Sequence, residues 1–486
     1  MVLNKKLVVK VLCAVMALVG FLMLIPCAVS LIYGETVSAR AFAVCAVPMI
    51  AAGYAAFRLT KAPDTNALGL RDGFFIVASA WFVLSLLGSL PFMISGTIPN
   101  VFDAFFETAS GFTTTGASIL PGVEDLPKGM LFWRSFTHWV GGMGILVLTI
   151  AILPALGIGG QKIMRAETTG PSMDKMTFTF NDTARSLYLI YSAMTVIEVV
   201  LLLISGMDLY DSLVYTFGTV GTGGFATKND GLAGYAVSSQ IIIAVFMMLA
   251  GINFNLYYLC LNKKSGQALK DPELKCYLGI TGGSTLFIMV MLIMSGQAAG
   301  IFDSFRLAYF QVTSILTTTG YSTFNFDLWP LPVKVVLMML MFIGGCASST
   351  GGGMKVIRVM MAFKIAWRGV QKRIHPSALA PVKIGGRIVP QDIMRSVSEF
   401  LILYLATLLF GTVLVSLEKV SLMTAFTSVL ACFSNIGPGF EAVGPAMNFG
   451  FYSGATKLFL SVLMIAGRLE LFTIFLMFTP AFWSKR

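Results

Sequence analysis

A chain of 486 residues of which 56% are hydrophobic and 12% charged is too apolar for a water-soluble globule, where about a quarter is ordinarily charged. Its mean hydropathy of +0.82 places it among proteins that cross a membrane repeatedly. The net charge of +11 then reads as loop topology and not as nucleic-acid binding.

Lys5, Lys6 and Lys10 precede an apolar run that continues to about Tyr33. With Val37-Ser38-Ala39 behind it, this start looks like a signal peptide. The run exceeds the roughly 7–15 residues of such a core, however, and is read as a retained first span. Further apolar segments at 41–57, 73–95, 131–156, 186–206, 238–261, 276–296, 331–365, 397–417 and 455–480 bring the expected spans to ten. An even number puts both termini on one side of the membrane. That side collects 25 of the 34 Lys and Arg residues, so both termini are expected in the cytoplasm. The seven cysteines lie scattered in or beside the apolar segments, without the pairing of a disulfide framework or a metal site.

On the opposite side, four moderately apolar stretches at 102–118, 210–227, 302–323 and 422–443 are too short to cross. Each ends in a glycine-containing turn. Asp103 precedes Gly116 by 13 residues and Asp211 precedes Gly224 by 13. Asp303 precedes Gly320 by 17, one more helical turn, and Thr424 precedes Gly437 by 13. The spacing predicts four re-entrant half-helices, the first three with an acid capping the N-terminus and the last with Thr424 in its place, each with its negative C-terminal end aimed at a central cation. Glycine intervals of 108, 96 and 117 residues fit one repeat each. The fold expected is an all-α polytopic membrane protein. Four span–half-helix–filter–span repeats surround one pseudo-fourfold pore, with two extra transmembrane helices in front. The divisions are 1–69 for the leading helices and 70–160, 161–262, 263–375 and 376–486 for the repeats.

Irregular backbone at membrane depth is tolerated only where protein buries it or where it lines a watery path. Rings of backbone carbonyls can replace the hydration shell of potassium without adding a charge that would trap it. The candidate filter residues are therefore Thr113, Thr114, Thr115 and Gly116; Val220, Gly221, Thr222, Gly223 and Gly224; Thr317, Thr318, Thr319 and Gly320; and Ser434, Asn435, Ile436 and Gly437. Glycine suits the last position of each because it accepts backbone angles closed to other residues. The third copy alone has Gly-Tyr, and the fourth reads Ile436-Gly437-Pro438, so the walls are chemically unequal.

Arg468 lies deep in the last apolar segment, where a charge should face a cavity or a partner. It is expected beneath the filter as a barrier to cations, against the alternative of a structural ion pair with Glu470 or Glu198. The segment Gly344-Gly345-Cys346-Ala347-Ser348-Ser349-Thr350-Gly351-Gly352-Gly353-Met354-Lys355 interrupts the eighth span. It lacks the Gly-Lys-Ser/Thr of a phosphate loop and reads as an unwound pore-lining gate, comprising Gly345 to Gly353 with Lys355. Nine basic residues between 355 and 395 form a cytoplasmic cluster suited to anionic lipid and, with the 157–185 loop, to a docking partner. His138 and His375 lack metal-ligand or triad companions and are assigned structural roles. A polytopic enzyme would need convergent acids, bases or ligands, and the ionisable residues Glu107, Glu198 and Arg468 are scattered. An alternating-access carrier coupled to protons or sodium would show paired broken helices in inverted halves, whereas one broken helix and four like-oriented repeats are expected here.

The motifs Ser110-Gly111-Phe112-Thr113-Thr114-Thr115-Gly116, Gly221-Thr222-Gly223-Gly224-Phe225, Thr317-Thr318-Thr319-Gly320-Tyr321 and Ser434-Asn435-Ile436-Gly437-Pro438-Gly439, together with the 344–355 break, resemble the TrkH/TrkG branch of the bacterial potassium-uptake superfamily. That superfamily also contains the KtrB and plant HKT proteins. The two spans ahead of the first repeat favour TrkH over KtrB. The resemblance covers essentially the whole chain. It implies potassium, and rubidium with it, bound at the filter residues only, in the bacterial inner membrane. It further implies a homodimer with one pore per protomer and a cytosolic RCK-type ring (TrkA) that binds a nucleotide, NAD or ATP/ADP, and regulates opening. Serine at the first filter glycine goes with sodium passage in the resembling family, so Gly116 favours potassium. The same resemblance assigns Arg468 its role beneath the filter.

Overall fold

The structure is a computed structural model and describes residues 4–59, 70–144, 180–375, 380–477 and 479–483. Most of the 157–185 loop, the distal part of the fourth expected span and the repeat boundaries near 69, 160 and 376 lie outside those residues.

Two leading helices, Lys5–Ile32 and Thr36–Leu59, pack as an antiparallel pair. Small residues let their backbones approach. A Cβ on Gly53 would stand 2.7 Å from the carbonyl oxygen of Cys13, and one on Gly20 would stand 2.8 Å from Ile50. The four repeats follow, each a long helix, a half-helix, a loop and a second helix. The long helices are Leu70–Ile94, Phe180–Ile204, Pro272–Met294 and Gln391–Ser416. The half-helices are Val101–Phe112, Leu209–Val220, Ile301–Leu316 and Leu422–Phe433. The third is the longest, as the longer Asp303 to Gly320 spacing requires. The repeats close on themselves: the first half-helix packs against Gly454–Arg468 of the fourth repeat, and Lys457 pairs with Asp103 across that seam at 2.6 Å.

The caps differ from the sequence expectation. Asn100 accepts the amide protons of Phe102 and Asp103, Asp208 that of Asp211, and Ser421 that of Thr424. The third half-helix starts at Gly300 without a side-chain cap. The predicted acids sit one turn inside, where they still meet the positive dipole end. There Asp211 accepts from Tyr235 and Thr227, and Asp303 pairs with Arg306.

The second helices also differ. Among the described residues six helices are long and apolar enough to cross a membrane, or seven with the pair Val237–Ala250 and Phe254–Leu261, which bends by 91°. The expected single broken helix is therefore a correction. The helix of the first repeat stops at Gly142 and that of the second breaks at 251–253. In the third, Leu331–Ile343 is separated from Val356–Ile374 by a break running to Lys355, and in the fourth Gly454–Arg468 ends before Phe472–Met477. Arg468 thus occupies the last turn of a helix and not the middle of a span. The break in the last segment rests on consecutive left-handed residues, Glu470 (φ 55°) and Leu471 (φ 42°). Beyond the third repeat, an antiparallel hairpin pairs Lys383 with Ile388 and Ile384 with Arg387 around Gly385-Gly386, whose positive φ angles suit a two-residue turn.

Candidate ion pathway

Each half-helix runs directly into its loop, and all four loops repeat one backbone pattern. The first residue is right-handed: Thr113 at φ −76°, Gly221 at −74°, Thr317 at −81° and Ser434 at −86°. The next is left-handed: Thr114 and Thr222 at 55°, Thr318 at 62° and Asn435 at 56°. The third is not left-handed, and the fourth is glycine at 81°, 85°, 84° and 98° for Gly116, Gly224, Gly320 and Gly437. A β-branched threonine with positive φ is a strained outlier, yet three of four walls carry one at the same position. Alternating handedness turns successive carbonyls toward one side of the chain, which a carbonyl-lined ion path requires.

The loops close into a ring. A Cβ on Gly116 would lie 2.1 Å from the carbonyl oxygen of Gly223, one on Gly224 2.1 Å from that of Thr319, and one on Gly320 2.1 Å from that of Ile436. One on Gly437 would lie 2.7 Å from the oxygen of Thr115, which completes the circle. Every wall therefore presses its glycine on the carbonyl just before the next wall's glycine. Glycine is required twice over, by φ and by this approach.

Side chains behind the ring tie neighbouring walls together. The Phe225 amide donates to His138 Nε2 at 3.2 Å, which leaves Nδ1 as the donor to the Gly111 carbonyl at 2.8 Å. His138 thus joins the first wall to the second, a structural role. The Tyr321 hydroxyl donates to the Tyr215 carbonyl at 3.1 Å and the Phe225 carbonyl at 3.2 Å, joining the third wall to the second. Asn435 Nδ2 donates to Thr115 Oγ1 at 3.0 Å and to the Met464 carbonyl at 2.9 Å, joining the fourth to the first. Ser434 bonds Tyr404 at 2.6 Å, while Thr113 and Thr317 bond Thr115 and Thr319, each at 2.8 Å.

The sequence reading missed Arg134. Its guanidinium is buried 2.7 Å from Glu107 Oε1 and lies over the Phe225 ring at 4.1 Å. Glu107 also accepts from the Ile119 amide at 3.0 Å. The available signal was charge placement: Arg134 is a basic residue near the outer end of a span, against the cytoplasmic bias of the others.

Beneath the ring the four helix breaks converge. The Cys346 amide donates to the Gly251 carbonyl at 2.9 Å, and the Phe254 amide to the Ser348 carbonyl at 3.1 Å. Thr350 Oγ1 donates to the Ala250 carbonyl at 3.2 Å and the Gly352 amide to Thr318 Oγ1 at 2.6 Å, so the glycine-rich segment touches the underside of the third wall. A Cβ on Gly352 would meet the Ser434 carbonyl oxygen at 2.3 Å, which brings the segment under the fourth wall as well. Glu273 Oε1 accepts from the amides of Ala347 at 2.7 Å and Ile357 at 3.1 Å, and Lys355 Nζ donates to the Gly351 carbonyl. Ser349 Oγ caps the Cys346 carbonyl at 2.7 Å, and Gly353 takes φ 74° where the segment turns back.

Arg468 meets this segment from the fourth repeat. Nη1 donates to the Thr350 carbonyl at 2.7 Å; Nη2 donates to the carbonyls of Gly141 at 2.6 Å and Gly142 at 2.9 Å. Glu470, weighed as its ion-pair partner, binds Arg358 instead. Glu198 is buried on Phe180–Ile204 in the second repeat and has no hydrogen-bond partner among the described residues.

A polytopic helical chain whose four internal repeats close a ring of glycines and carbonyls, over a converged set of helix breaks, is of the class of membrane proteins built around one pseudo-fourfold axis. Residues 38–485 match the TrkH family, described as cation transport protein, and the chain belongs to that family. It is 39% identical over 472 residues to the Trk system potassium uptake protein TrkH of Escherichia coli K12, covering 95% of this chain and 96% of that one. It is 35% identical over 474 residues to the Trk system potassium uptake protein TrkG of the same strain, with 95% of each covered. The crystal structure of the potassium transporter TrkH from Vibrio parahaemolyticus superposes with a TM-score of 0.88 at 34% identity, over 99% of this chain and 100% of that one.

Proposed function

We propose that the chain carries potassium, with rubidium in its place, across the bacterial inner membrane through the ring of four loops. The observation that carries this reading is the cyclic packing of Gly116, Gly224, Gly320 and Gly437 on neighbouring carbonyls. It supports a narrow path lined by backbone oxygens, where a cation exchanges water for carbonyls. The relatives named as potassium uptake proteins favour potassium as the ion.

The lower site acts as the gate. With Arg468 bonded to carbonyls of two repeats and the 344–355 segment held against the third wall, the path beneath the ring is occupied by protein and by a positive charge. Release of either opens it. The relatives' designation as parts of a Trk system supports a partner. We assign that partner to a cytosolic, nucleotide-binding RCK-type ring docking on the basic 355–395 region of a homodimer with cytoplasmic termini.

The alternating-access reading loses one of its two counterarguments, because more than one second helix is broken. The other stands: the repeats are related by rotation about one axis, and inverted halves are what a carrier of that kind uses.

The test is flux of potassium, rubidium and sodium into liposomes containing the purified protein, with and without a pH gradient. Rubidium passing like potassium with sodium largely excluded, independently of the gradient, supports the proposal. No cation flux under any condition, or flux that requires the gradient, overturns it.

A further inference from the structure

The four half-helices can be compared in register by counting back from the ring glycines. Nine residues before them stand Glu107, Tyr215, Gln311 and Ser428, all buried. Three of these find partners farther along their own repeat, and two, Glu107 and Tyr215, tie down the chain that leaves the ring. Glu107 accepts from Ser118 Oγ and the Ile119 amide, each at 3.0 Å. The Tyr215 hydroxyl donates to the Gly231 carbonyl at 2.9 Å. Ser428 Oγ bonds the Tyr452 hydroxyl at 2.8 Å.

Gln311 breaks the series. It is only 1% exposed, and neither Oε1 nor Nε2 has a hydrogen-bond partner among the described residues. An amide offers two donor and two acceptor positions, and burying them all unsatisfied is unfavourable enough that native interiors avoid it. A buried water with two to four polar contacts is the usual solution. Wall three has other restraints close to its glycine, since Ser314 Oγ donates to the Tyr321 carbonyl at 2.5 Å and Tyr321 reaches the second wall. Farther out the Ser322 carbonyl accepts from the Leu232 amide at 3.1 Å, but among the described residues nothing meets the Ser322 hydroxyl and the Thr323 amide as Glu107 meets Ser118 and Ile119.

We propose that Gln311 holds an ordered water behind the third wall and through it positions the outgoing strand at 321–323. Gln311 is thus a positioning residue for ion choice, adding an exchangeable link where the first wall has the direct tie of Glu107 to Ser118 and Ile119. The proposal rests on the reading of the ring as the selective element.

Rubidium and sodium flux in liposomes, with thermal unfolding in detergent, tests it on Gln311→Met, which keeps the length and removes the hydrogen bonds, and on Gln311→Glu, which keeps acceptors as the first wall does. The expected result is a rubidium-to-sodium ratio reduced roughly fivefold in Gln311→Met, the factor one hydrogen bond represents, and held within about twofold in Gln311→Glu. An unchanged ratio with raised thermal stability in Gln311→Met shows an amide that is simply unsatisfied and overturns the proposal. An equal loss in both variants shows a packing role and also overturns it. A wild-type protein without rubidium preference instead defeats the filter reading itself. Independently of any variant, an experimental map fine enough to show waters supports the proposal if one lies within hydrogen-bond reach of both the amide and the 321–323 backbone. It overturns the proposal if the amide faces only apolar atoms.

Discussion

Arg358 donates to Glu470, two residues beyond Arg468, and so joins the helix that leaves the glycine-rich segment to the break in the last span. Arg358 also stacks over the Phe400 ring at 4.2 Å. Helix Val356–Ile374 carries Lys364, Arg368, Lys372 and Arg373 toward its far end. A pull on that basic end therefore reaches the backbone next to Arg468 through one ion pair.

The first prediction follows from that pair. Its side chains are 7% and 20% exposed, so breaking it lies between the surface and the buried limits, at about 1–3 kcal/mol. Arg358→Ala and Glu470→Ala should each lower thermal stability and raise rubidium flux in the absence of any partner. The reversed pair Arg358→Glu with Glu470→Arg should recover part of both. Additive losses in the double reversal would show that the two residues act separately.

Ring glycines and exposed helix glycines should respond in opposite ways to alanine. Gly224→Ala forces a side chain to φ 85° and against the Thr319 oxygen, a combined cost above about 2 kcal/mol and a loss of rubidium preference of more than roughly tenfold. Gly279 lies within a helix with open space beside it. Gly279→Ala should keep flux and selectivity and raise stability by about 0.4–1 kcal/mol. Equal behaviour of the two variants in flux assays would contradict the ring geometry.

Arg468 holds three carbonyls from two repeats, so Arg468→Ala should free the segment beneath the ring. Rubidium flux is expected to rise at least roughly fivefold at unchanged protein level. Arg468→Lys keeps the charge without the planar fork and should fall between. Deleting Gly351 and Gly352 should raise flux as well. A decrease in any of these with intact folding would remove the gate from this site.

Glu107 and Arg134 are nearly inaccessible, and removal of one leaves the other charged and buried. Glu107→Gln should cost about 3–5 kcal/mol, whereas replacing both by methionine should recover much of it. Thermal unfolding of the single and double variants measures the difference. A double variant less stable than either single one would show that the pair does more than satisfy itself.

The half-helices were legible in sequence because a capped helix of three or four turns followed by a tight loop fixes the distance from first-turn acid to ring glycine. The identity of the caps was not, since Asn100, Asp208 and Ser421 stand one turn earlier in stretches without apolar contrast. Helix breaks were legible only where glycine and serine dilute the hydropathy, at 344–355. At 251–253 and 469–471 the chain stays apolar across the break through Ile252, Leu469 and Leu471, and hydropathy carries no trace of the bend at the first or of the positive φ angles of Glu470 and Leu471 at the second. The order in which the walls meet was invisible, because it depends on contacts such as Gly437 with Thr115 that span most of the chain.

All four walls of the ring are encoded in one polypeptide, so a single codon change alters one quarter of the ring. In a ring of identical subunits the same change strikes every wall, and its energetic effect is multiplied four times over. A threonine here can drift to asparagine, as at position 435, with a perturbation small enough to survive selection. On the proposed ion path, preference is open to adjustment by increments, wall by wall.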